Sequence, residues 1–287
     1  MERTVTDRIA RERIGLIAGG GRFPVLFAET ARRRGIDVVA VAHEGETAPE
    51  LANVVDAITW VAAGQLGALI DALKAGGVAR VVMVGGITKP RLFHDFKPDE
   101  RALAAIARVG TLRDDVLLRA LAAELESEGL VVVPSTTYLD EIVPAPGVLS
   151  RRPPTPEEEV DIRFGFRAAK VIGQFDIGQS VVVRNGTVVA VEGIEGTDAT
   201  IRRAGQLVNG QIVLVKTCKP TQDTRFDLPA IGPDTVRTLA SVRGRALAVE
   251  AGRTVMLDRD EMLALADAAD MAVVAVDAAT LGLEGTR

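Results

Sequence analysis

The segment KPTQDTRFDLPAIG, residues 219–232, gathers side chains that could carry out phosphoryl chemistry. Asp223 and Asp227 lie close in sequence to Lys219 and Arg225. Carboxylates hold a divalent cation while lysine or arginine neutralises phosphate oxygens, so the pattern is typical of magnesium-assisted reactions at phosphorus. A surface loop of salt bridges is an alternative of equal weight, although such pairs contribute only about 0–1 kcal/mol each.

Two other segments place carboxylates, amides and hydroxyls beside predicted strand ends. The residues concerned are Asp176, Gly178, Gln179 and Ser180 in GQFDIGQSVVV, and Glu192, Glu195, Gly196, Thr197 and Asp198 in VEGIEGTDATIRRAG. Thr197 or Asp198 is predicted to cap the helix that follows, which leaves N–H groups near Gly196 for a phosphate. Helix capping alone explains Thr197 and Asp198 equally well.

Three consecutive glycines, Gly19, Gly20 and Gly21, separate a predicted strand from a predicted helix. They allow close approach of a ligand to the backbone, and the helix N-terminus favours an anion. Pro24 occupies the position of the third small residue in a dinucleotide fingerprint, so the match is incomplete. A tight turn without a ligand is the alternative. The entropic cost of three glycines favours a phosphate or nucleotide role.

A second glycine turn, Gly85–Gly86, ends another strand of the first half and precedes Thr88, Lys89 and Arg91. Ligands of open α/β sheets lie beyond the carboxyl ends of the strands, so both glycine turns are expected to face one crevice. The hydroxyl and the positive charges would bind phosphates. A polar surface loop is the alternative.

The titratable residues narrow the range of cofactors. Glu44 and Glu46 follow the second strand, where a dehydrogenase holds a ribose, although a solvated acidic loop is the favoured interpretation. With only two histidines in the chain, a histidine-rich metal site is excluded and oxygen ligands for a magnesium-like ion are favoured. Cys218 is the single cysteine, which predicts a buried structural thiol and a reducing compartment.

The pattern of elements predicts an α/β fold. In the first half, the apolar segments predict strands at 14–18, 36–42, in DAITWVAAG, in ARVVMVGG and in LVVVPS, which alternate with helices from Pro24, in QLGALIDALKAGG, at 98–108 and at 112–128. Such alternation predicts a parallel, Rossmann-like sheet. Five prolines between Pro144 and Pro156 predict a stiff connector. We therefore predict an N-terminal domain at 1–143, a linker at 144–156 and a C-terminal mixed α+β domain at 157–287.

Several turns and caps define the second half. Thr155, Pro156 and the acids after them predict a helix start, and the helix is expected to extend to about residue 172. Asn185–Gly186 predicts a β-hairpin, and Asn209–Gly210 offers a second turn of that kind. Helices are predicted in PDTVRTLASVRG and RDEMLALADAAD, a pair of strands in ALAVEAGRTVMLD, and a last strand in MAVVAVD.

The overall composition excludes several classes of protein. The chain has 287 residues, a net charge of -5, 47% hydrophobic residues and 3% aromatic residues. The negative balance argues against a nucleic-acid binder, and the aliphatic core suits buried parallel strands. The charged N-terminus is not a secretory signal and no long apolar run occurs, so we expect a cytoplasmic protein without a membrane-spanning helix.

Six segments together resemble the LpxI-type UDP-2,3-diacylglucosamine pyrophosphatases. They are IGLIAGGGRFP, GGITKP, IGQFDIGQSVVV, AVEGIEGTDATIRR, KPTQDTRFDLPAIG and the closing strand–helix–strand, in the family order. The resemblance implies a Mg²⁺-dependent hydrolase, with Mn²⁺ as a possible substitute. Such an enzyme splits UDP-2,3-diacylglucosamine into UMP and 2,3-diacylglucosamine 1-phosphate (lipid X) by attack of water on the β-phosphorus, in lipid A biosynthesis of Gram-negative bacteria.

The resemblance also implies roles for individual residues. Asp227 matches the essential acid and is the expected metal ligand. For the mechanism we hypothesise that Lys219 or Arg225 stabilises charge and that Asp198 or Glu192 orients the water. Contacts to the substrate are implied for Gly19, Gly20, Gly21, Thr88, Lys89, Asp176, Gly178, Gln179, Ser180, Thr197 and Arg225. A lipid-linked nucleotide sugar as substrate, a homodimer and peripheral attachment to the cytoplasmic face of the inner membrane are further expectations.

Two other functions fit parts of the sequence. The first half alone is compatible with an NAD(P)-dependent oxidoreductase, although the incomplete fingerprint and the lack of a convincing catalytic lysine–tyrosine or histidine pair count against it. A non-catalytic protein that binds nucleotide sugars is the other alternative. The acid-rich loop at 219–232 argues for catalysis.

Overall fold

The computed structural model describes residues 11–86, 96–110, 114–226 and 228–283, without the side chains of residues 114 and 115. The chain divides into two compact units, Met1–Tyr138 and Leu139–Arg287. The segment 144–156, predicted as a linker, falls inside the second of these units. Each unit is built around its own sheet.

The first unit contains a five-stranded parallel sheet. Its strands are β1 (Arg13–Ala18), β2 (Asp37–His43), β3 (Ala57–Val61), β4 (Arg80–Val84) and β5 (Val131–Val132). The order is β3-β2-β1-β4-β5, with every pairing parallel. This order is that of a Rossmann-like sheet, in which the topology reverses beside the first strand. The predicted fold of the first half is therefore confirmed.

Helices connect these strands as the sequence predicts. They are α1 (Phe23–Arg33), α2 (Leu66–Ala75), α3 (Glu100–Val109) and α4 (Asp114–Ser127), with a 3-10 helix at Pro49–Asn53. A further 3-10 helix, Asp140–Ile142, lies at the start of the second unit. Asp99 caps α3, since its carboxylate accepts a hydrogen bond from the backbone N of Ala102 at 2.8 Å. The helix ends at Gly110, whose φ of 64° suits glycine.

The second unit contains a six-stranded mixed sheet and a two-stranded one. The strands are β6 (Gly147–Val148), β7 (Ser180–Arg184), β8 (Thr187–Val191), β9 (Val213–Lys216), β10 (Ala230–Ile231), β11 (Ala246–Glu250), β12 (Val255–Met256) and β13 (Ala272–Val276). The large sheet has the order β6-β13-β11-β9-β7-β8, in which β9, β11 and β13 are parallel and the others pair antiparallel. The short strands β10 and β12 pair in parallel.

Helices cover both faces of the large sheet. They are α5 (Pro156–Gln174), α6 (Thr197–Leu207), α7 (Pro233–Ser241) and α8 (Arg259–Ala268). The side chains of β9 alternate between two cores: Val213 and Val215 pack with Ile162 of α5, whereas Leu214 packs with Leu239 of α7. This alternation of a fully apolar strand explains why helices are needed on both sides. The mixed α+β prediction is confirmed.

The predicted start of α5 is confirmed in detail. The hydroxyl of Thr155 accepts a hydrogen bond from the backbone N of Glu158 at 3.3 Å, and Glu158 Oε2 accepts from the backbone N of Thr155 at 2.9 Å. These reciprocal bonds form a capping box, with Pro156 in the first turn. The hairpin at Asn185–Gly186 is also present, with positive φ at both residues, as its turn type requires.

One local prediction is wrong. Asn209–Gly210 follows α6 and leads into β9, so it joins a helix to a strand. The two strands predicted in ALAVEAGRTVMLD are both present: β11 lies inside the large sheet, and β12 pairs with β10. The Asn209–Gly210 prediction used a local turn signal, which does not determine the distant partner of a strand.

Within the described ranges, no helix combines the length and the apolar character needed to cross a membrane.

Candidate functional site

The two glycine turns of the first unit lie against each other. The backbone N of Gly19 donates to Val84 O at 2.8 Å, and that of Gly20 donates to Gly86 O at 2.7 Å. A Cβ atom on Gly19 would lie 2.6 Å from the carbonyl carbon of Gly85, so glycine is required there for packing. The structure thus brings both turns to the carboxyl ends of neighbouring strands. Thr88, Lys89 and Arg91 lie outside the described residues.

The polar residues at and after the end of β2 have separate roles. His43 is buried and its Nδ1 lies 3.0 Å from Ala18 O, while Thr47 donates its hydroxyl to the same carbonyl at 2.6 Å. These contacts hold the end of β2 against β1. Glu44 is exposed, and the Glu46 carboxylate lies beside Gly20, since a Cβ on that glycine would lie 2.8 Å from Glu46 Oε1.

In the second unit, one edge of the large sheet collects polar side chains from four strands. The N-terminal end of β7 and the carboxyl ends of β8, β9 and β11 share this edge, because β7 runs antiparallel to β8 and β9. Ser180, Glu192, Lys216 and Glu250 lie there and are all buried. We call these residues and the loops that connect to them the polar edge. Carboxyl ends of parallel strands are where α/β proteins bind ligands.

Glu192 and Thr197 form one contact at the polar edge. Thr197 donates its hydroxyl to Glu192 Oε1 at 2.9 Å, and the Ser180 hydroxyl lies 3.4 Å from that of Thr197. Glu192 Oε2 is buried without a hydrogen-bond partner among the described residues. A buried carboxylate oxygen of this kind is costly unless a ligand pairs with it.

The predicted cap of α6 is wrong. Gly196, with a φ of 82°, occupies the cap position, and no side chain caps the helix. Thr197 is the first helical residue and directs its hydroxyl to Glu192 instead. Asp198 follows in the first turn, where a carboxylate is favoured by the helix dipole.

Lys216 is a central residue that sequence reasoning missed. Its ammonium donates to Thr197 Oγ1 at 3.0 Å and to Ala230 O at 2.9 Å. Burial lowers the pKa of Lys216, and the charges of Glu192 and Asp198 oppose that shift. The signal was present in the sequence, because a lysine ends the otherwise apolar strand VLVK.

Lys219 and Asp176 are brought together from distant segments. Lys219 Nζ lies 2.6 Å from Asp176 Oδ1, with side chains 17% and 24% exposed, respectively. Asp176 has a φ of 57°, which aspartate tolerates better than most residues. The pair places a partly accessible carboxylate on the loop before β7 and a partly accessible cation on the loop after β9.

Gly178 and Gln179 lie between Asp176 and β7. A Cβ on Gly178 would lie 2.1 Å from Glu192 O, so glycine permits the close contact of two loops. Gln179 O accepts a hydrogen bond from the backbone N of Thr217 at 2.9 Å. The side-chain oxygens of Gln179 and Thr217 are buried without partners among the described residues. Both oxygens can therefore bind a polar group of a ligand.

In the charged loop at residues 219–232, two of the side chains pair with each other. Arg225 pairs with Asp223, with Nε 3.1 Å from Oδ1 and one terminal nitrogen 2.9 Å from Oδ2. Asp223 and Arg225 therefore form a salt bridge, as in the alternative interpretation of this loop. Asp227 lies outside the described residues.

A second group of contacts, also missed, supports the start of this loop. Lys170 donates to Cys218 O at 2.9 Å and pairs with Glu250 Oε2 at 2.5 Å. The same oxygen of Glu250 also accepts a hydrogen bond from the backbone N of Cys218 at 2.8 Å. The Cys218 thiol is buried and lies 3.2 Å from Gln222 Oε1, as expected of a structural cysteine. Gln222 Oε1 also accepts from the backbone N of Lys219 at 2.9 Å.

The residues present are compatible with magnesium. Within the part of the chain that the structure describes, no group of three or more His, Cys, Asp or Glu side chains could hold a metal ion. Magnesium is commonly bound by one or two carboxylates together with substrate phosphates, so a complete protein cage is not required. The unpartnered buried oxygen of Glu192 is a hard donor of the required kind.

The fold and the polar edge define a class: two-unit α/β proteins with a Rossmann-like sheet and a mixed sheet edged with carboxylates and lysines. Models of the LpxI N-terminal domain and the LpxI C-terminal domain match residues 13–142 and 145–274. The UDP-2,3-diacylglucosamine pyrophosphatase LpxI of Caulobacter vibrioides is 36% identical over 279 residues, which cover 92% of this chain and 98% of that protein. The chain belongs to the LpxI family.

Two solved structures of other proteins show distant likeness. The biotin carboxylase domain of a thermophilic 2-oxoglutarate carboxylase is 12% identical with a TM-score of 0.26, over 68% of this chain and 32% of that chain. Phosphoribosylglycinamide synthetase from Anaerococcus prevotii is 13% identical with a TM-score of 0.27, over 67% of this chain and 42% of that chain. Likeness at this level carries no argument about function.

Proposed function

We propose that the protein hydrolyses the diphosphate of UDP-2,3-diacylglucosamine, with Mg²⁺, to UMP and 2,3-diacylglucosamine 1-phosphate in lipid A biosynthesis. The observation that carries the proposal is the 36% identity, over 92% of the chain, to a relative named for this pyrophosphatase activity. The polar edge supports it, because Lys219 and Glu192 lie on loops at the sheet edge where ligands bind.

In this reaction, the side chains of the polar edge act on a substrate that carries negative charge. Lys219, held by Asp176 at 2.6 Å, donates to the diphosphate oxygens and stabilises their charge as it grows. Glu192 accepts a proton from water or orients it through the oxygen that has no protein partner among the described residues. Bound Mg²⁺ supplies further neutralisation of the diphosphate, and Asp227 together with a carboxylate of the polar edge would hold it.

The reaction is an ordinary hydrolysis of a diphosphate. Water adds its oxygen to the β-phosphorus, the P–O–P bond breaks, and UMP leaves with the bridging oxygen. The proton released by water goes to a carboxylate and then to solvent. Water attack on the α-phosphorus would yield the same products, and an isotope label distinguishes the two routes.

The test is hydrolysis of UDP-2,3-diacylglucosamine by the full chain with magnesium or with EDTA, in water enriched in ¹⁸O. We expect magnesium-dependent release of both products, with the label in 2,3-diacylglucosamine 1-phosphate. Label in UMP would overturn the attack at the β-phosphorus. Binding of the substrate without cleavage would favour the nucleotide-sugar binding protein, and tight NAD(P) binding would favour the oxidoreductase.

The lipid nature of the proposed substrate motivates a further proposal: peripheral attachment to the cytoplasmic face of the inner membrane. Two loops at the polar edge carry large apolar side chains that are 74% exposed at Phe175, 52% at Ile177 and 79% at Ile194. These loops are neighbours, since Gly178 contacts Glu192 O. Exposed apolar residues of this kind suit insertion into a bilayer surface.

Co-sedimentation with phosphatidylethanolamine–phosphatidylglycerol vesicles tests this attachment. The double variant Phe175→Ser/Ile194→Ser should lose most of the vesicle-bound fraction, whereas Leu207→Ser, at a side chain 63% exposed at the end of α6, should not. Equal loss in both variants would contradict the assignment of these loops. The homodimer that the family resemblance implies is likewise a proposal, and light scattering of the purified chain tests it.

A further inference from the structure

Lys216 connects three parts of the second unit through one buried ammonium. It is the last residue of β9 and is 6% exposed. Its ammonium donates to the hydroxyl of Thr197, the first residue of α6, and to the carbonyl of Ala230, the first residue of β10. The chain between Lys216 and Ala230 is the segment 217–229, which contains Lys219, Asp223, Arg225 and Asp227.

The contact with Ala230 closes this segment. Residue 217 continues directly from Lys216, and residue 229 leads directly into Ala230, so the side chain of Lys216 bridges the two ends of the loop. The backbone of the segment is also held near its start, where Cys218 N donates to Glu250 Oε2 at 2.8 Å. Its far end is held by the ammonium of Lys216, by a bond from Val255 N to Pro229 O at 2.8 Å and by the pairing of β10 with β12.

The contact with Thr197 aligns the loop with Glu192. Thr197 accepts from Lys216 at 3.0 Å and donates to Glu192 Oε1 at 2.9 Å, so its hydroxyl is oriented by both partners. Glu192 then keeps its other oxygen free of protein partners in the described part of the chain. The chain of contacts runs from Ala230 through Lys216 and Thr197 to Glu192.

A buried ammonium is a costly way to hold a strand end. Transfer of an ammonium from water to the interior is unfavourable unless its donors are paired, and an apolar side chain of similar length avoids that cost. The attraction of Glu192 and Asp198 offsets part of the burial cost of Lys216, in accord with its pKa, which burial lowers and these carboxylates raise. Stability alone is therefore a weak reason for a lysine at this position.

We propose that Lys216 is a positioning residue for the hydrolysis: it fixes the segment 217–229 relative to Glu192 by binding Ala230 and Thr197. This inference rests on the proposed function. Lys216 is 6% exposed and its ammonium donates to two protein oxygens, so its loss should affect the rate of the chemical step more than the KM.

The experiment compares Lys216→Met, Lys216→Arg and the wild-type chain in kcat, KM and hydrogen exchange of the segment 217–229. Lys216→Met should lose at least about tenfold in kcat with KM within about threefold, and the segment should exchange faster. Lys216→Arg retains donors and should recover part of kcat. Lys74→Met, which removes an exposed pair with Glu128, is the control and should leave both measurements unchanged.

A double-mutant comparison separates positioning from a general structural role. Thr197→Val removes the hydroxyl without removing the buried charge, and should lower kcat severalfold. If both residues act through the same contact, Lys216→Met/Thr197→Val should be no slower than the slower single variant. If Lys216→Met does not fold, Thr197→Val alone decides, and wild-type kcat in that variant overturns the inference.

The outcomes also distinguish this inference from the proposed function. An inactive but well-folded wild-type chain overturns the proposed function and, with it, the role in hydrolysis. Hydrogen exchange then still decides whether Lys216 holds the segment: unchanged protection in folded Lys216→Met overturns that part as well. If the wild type is active and a folded Lys216→Met variant has the same kcat, the inference is overturned while the proposed function stands.

Discussion

At the scale of single residues, Asp227 is the side chain on which the proposed chemistry depends most. Asp227→Asn keeps the size of the side chain but removes the charge that would hold Mg²⁺. We expect kcat to fall by at least about 10²–10³, as is typical when one electrostatic contact to the transition state is lost. Product release at saturating magnesium measures it, and Asp234→Asn is the control because Asp234 is 87% exposed and pairs with Arg237. Wild-type turnover in Asp227→Asn would contradict the assignment.

The contact between Lys219 and Asp176 predicts how substitutions of these two residues change kcat/KM. Asp176 holds the Lys219 ammonium at 2.6 Å, so Asp176→Asn should weaken its orientation toward the substrate. We expect about a tenfold loss in kcat/KM, which corresponds to about 1.4 kcal/mol. Lys219→Met should cost more, because it removes the cation itself, and the double variant should resemble Lys219→Met. Additive losses would show that the two residues act independently.

Part of the site could be predicted from the sequence, and the missing part has a physical reason. Asp176, Glu192 and Lys219 lie in polar segments beside strand ends, where charged residues have few structural uses. Lys216 and Glu250 end apolar strands, and only the tertiary structure shows that two buried charges have partners there. A charged residue at the carboxyl end of a buried strand is the signal that would have found both.

At the scale of elements, Gly178 shows how packing between loops limits the sequence. The Gly178→Ala variant places a methyl group 2.1 Å from Glu192 O, and a backbone carbonyl cannot move as a side chain can. We expect a loss of about 1–3 kcal/mol in the free energy of unfolding, as is usual for overpacking, together with reduced turnover. Denaturant unfolding measures the first quantity.

Gly232→Ala is the matched control for this change. Its new Cβ would meet Leu257 Cβ at 3.4 Å, an ordinary van der Waals distance, and its φ of −162° is accessible to alanine. Gly178→Ala should therefore be clearly less stable than Gly232→Ala. Equal stability of the two variants would mean that the loops before β7 and before α6 separate without cost.

Glu195, in the loop before α6, should make the free energy of unfolding depend on pH. The pKa of Glu195 is lowered by its own backbone N–H, and further by Arg203, whose nitrogen lies 2.6 Å from Glu195 Oε1. Because the folded state depresses this pKa, the stabilisation is present above the unfolded pKa of about 4.3 and is lost as pH falls below it. Glu195→Gln should lose about 0.5 kcal/mol at pH 7 and almost nothing at pH 3.

Denaturant unfolding of Glu195→Gln at the two pH values checks this prediction, with Glu44→Gln at an exposed acid as the control. The same loss at both pH values would assign the effect to the amide geometry rather than to the charge. A loss that grows toward low pH would contradict the direction of the shift.

Elements were predicted well where the signal is local and less well where it is not. The Asn185–Gly186 hairpin and the Thr155 capping box depend on residues a few positions apart, and both are present. Asn209–Gly210 has the same turn chemistry but follows a helix, because Ile201 and Ala204 bury one face of that helix in the core. Tertiary burial there overrides the turn signal.

At the scale of the whole molecule, alternation of strands and helices predicts parallel sheets but not the order of their strands. The first sheet has the order β3-β2-β1-β4-β5, which follows from right-handed crossovers on both sides of β1. The second sheet places the first strand of its unit, β6, beside the last, β13. Such a pairing depends on contacts across the whole unit, which periodicity does not record.

The second unit should fold on its own, since its cores are built from its own residues. One core packs α6, α7 and α8 on the large sheet, and others pack α5 on the opposite face, with all members from residues 149–283. A chain of residues 139–287 is large enough to bury a sizeable core. We expect a single cooperative thermal transition and dispersed NMR spectra for this fragment. Lys216→Met should keep that cooperative transition, because Lys216 lies outside these apolar cores. A fragment without a cooperative transition would show that residues 1–138 are required to complete the fold of the second unit.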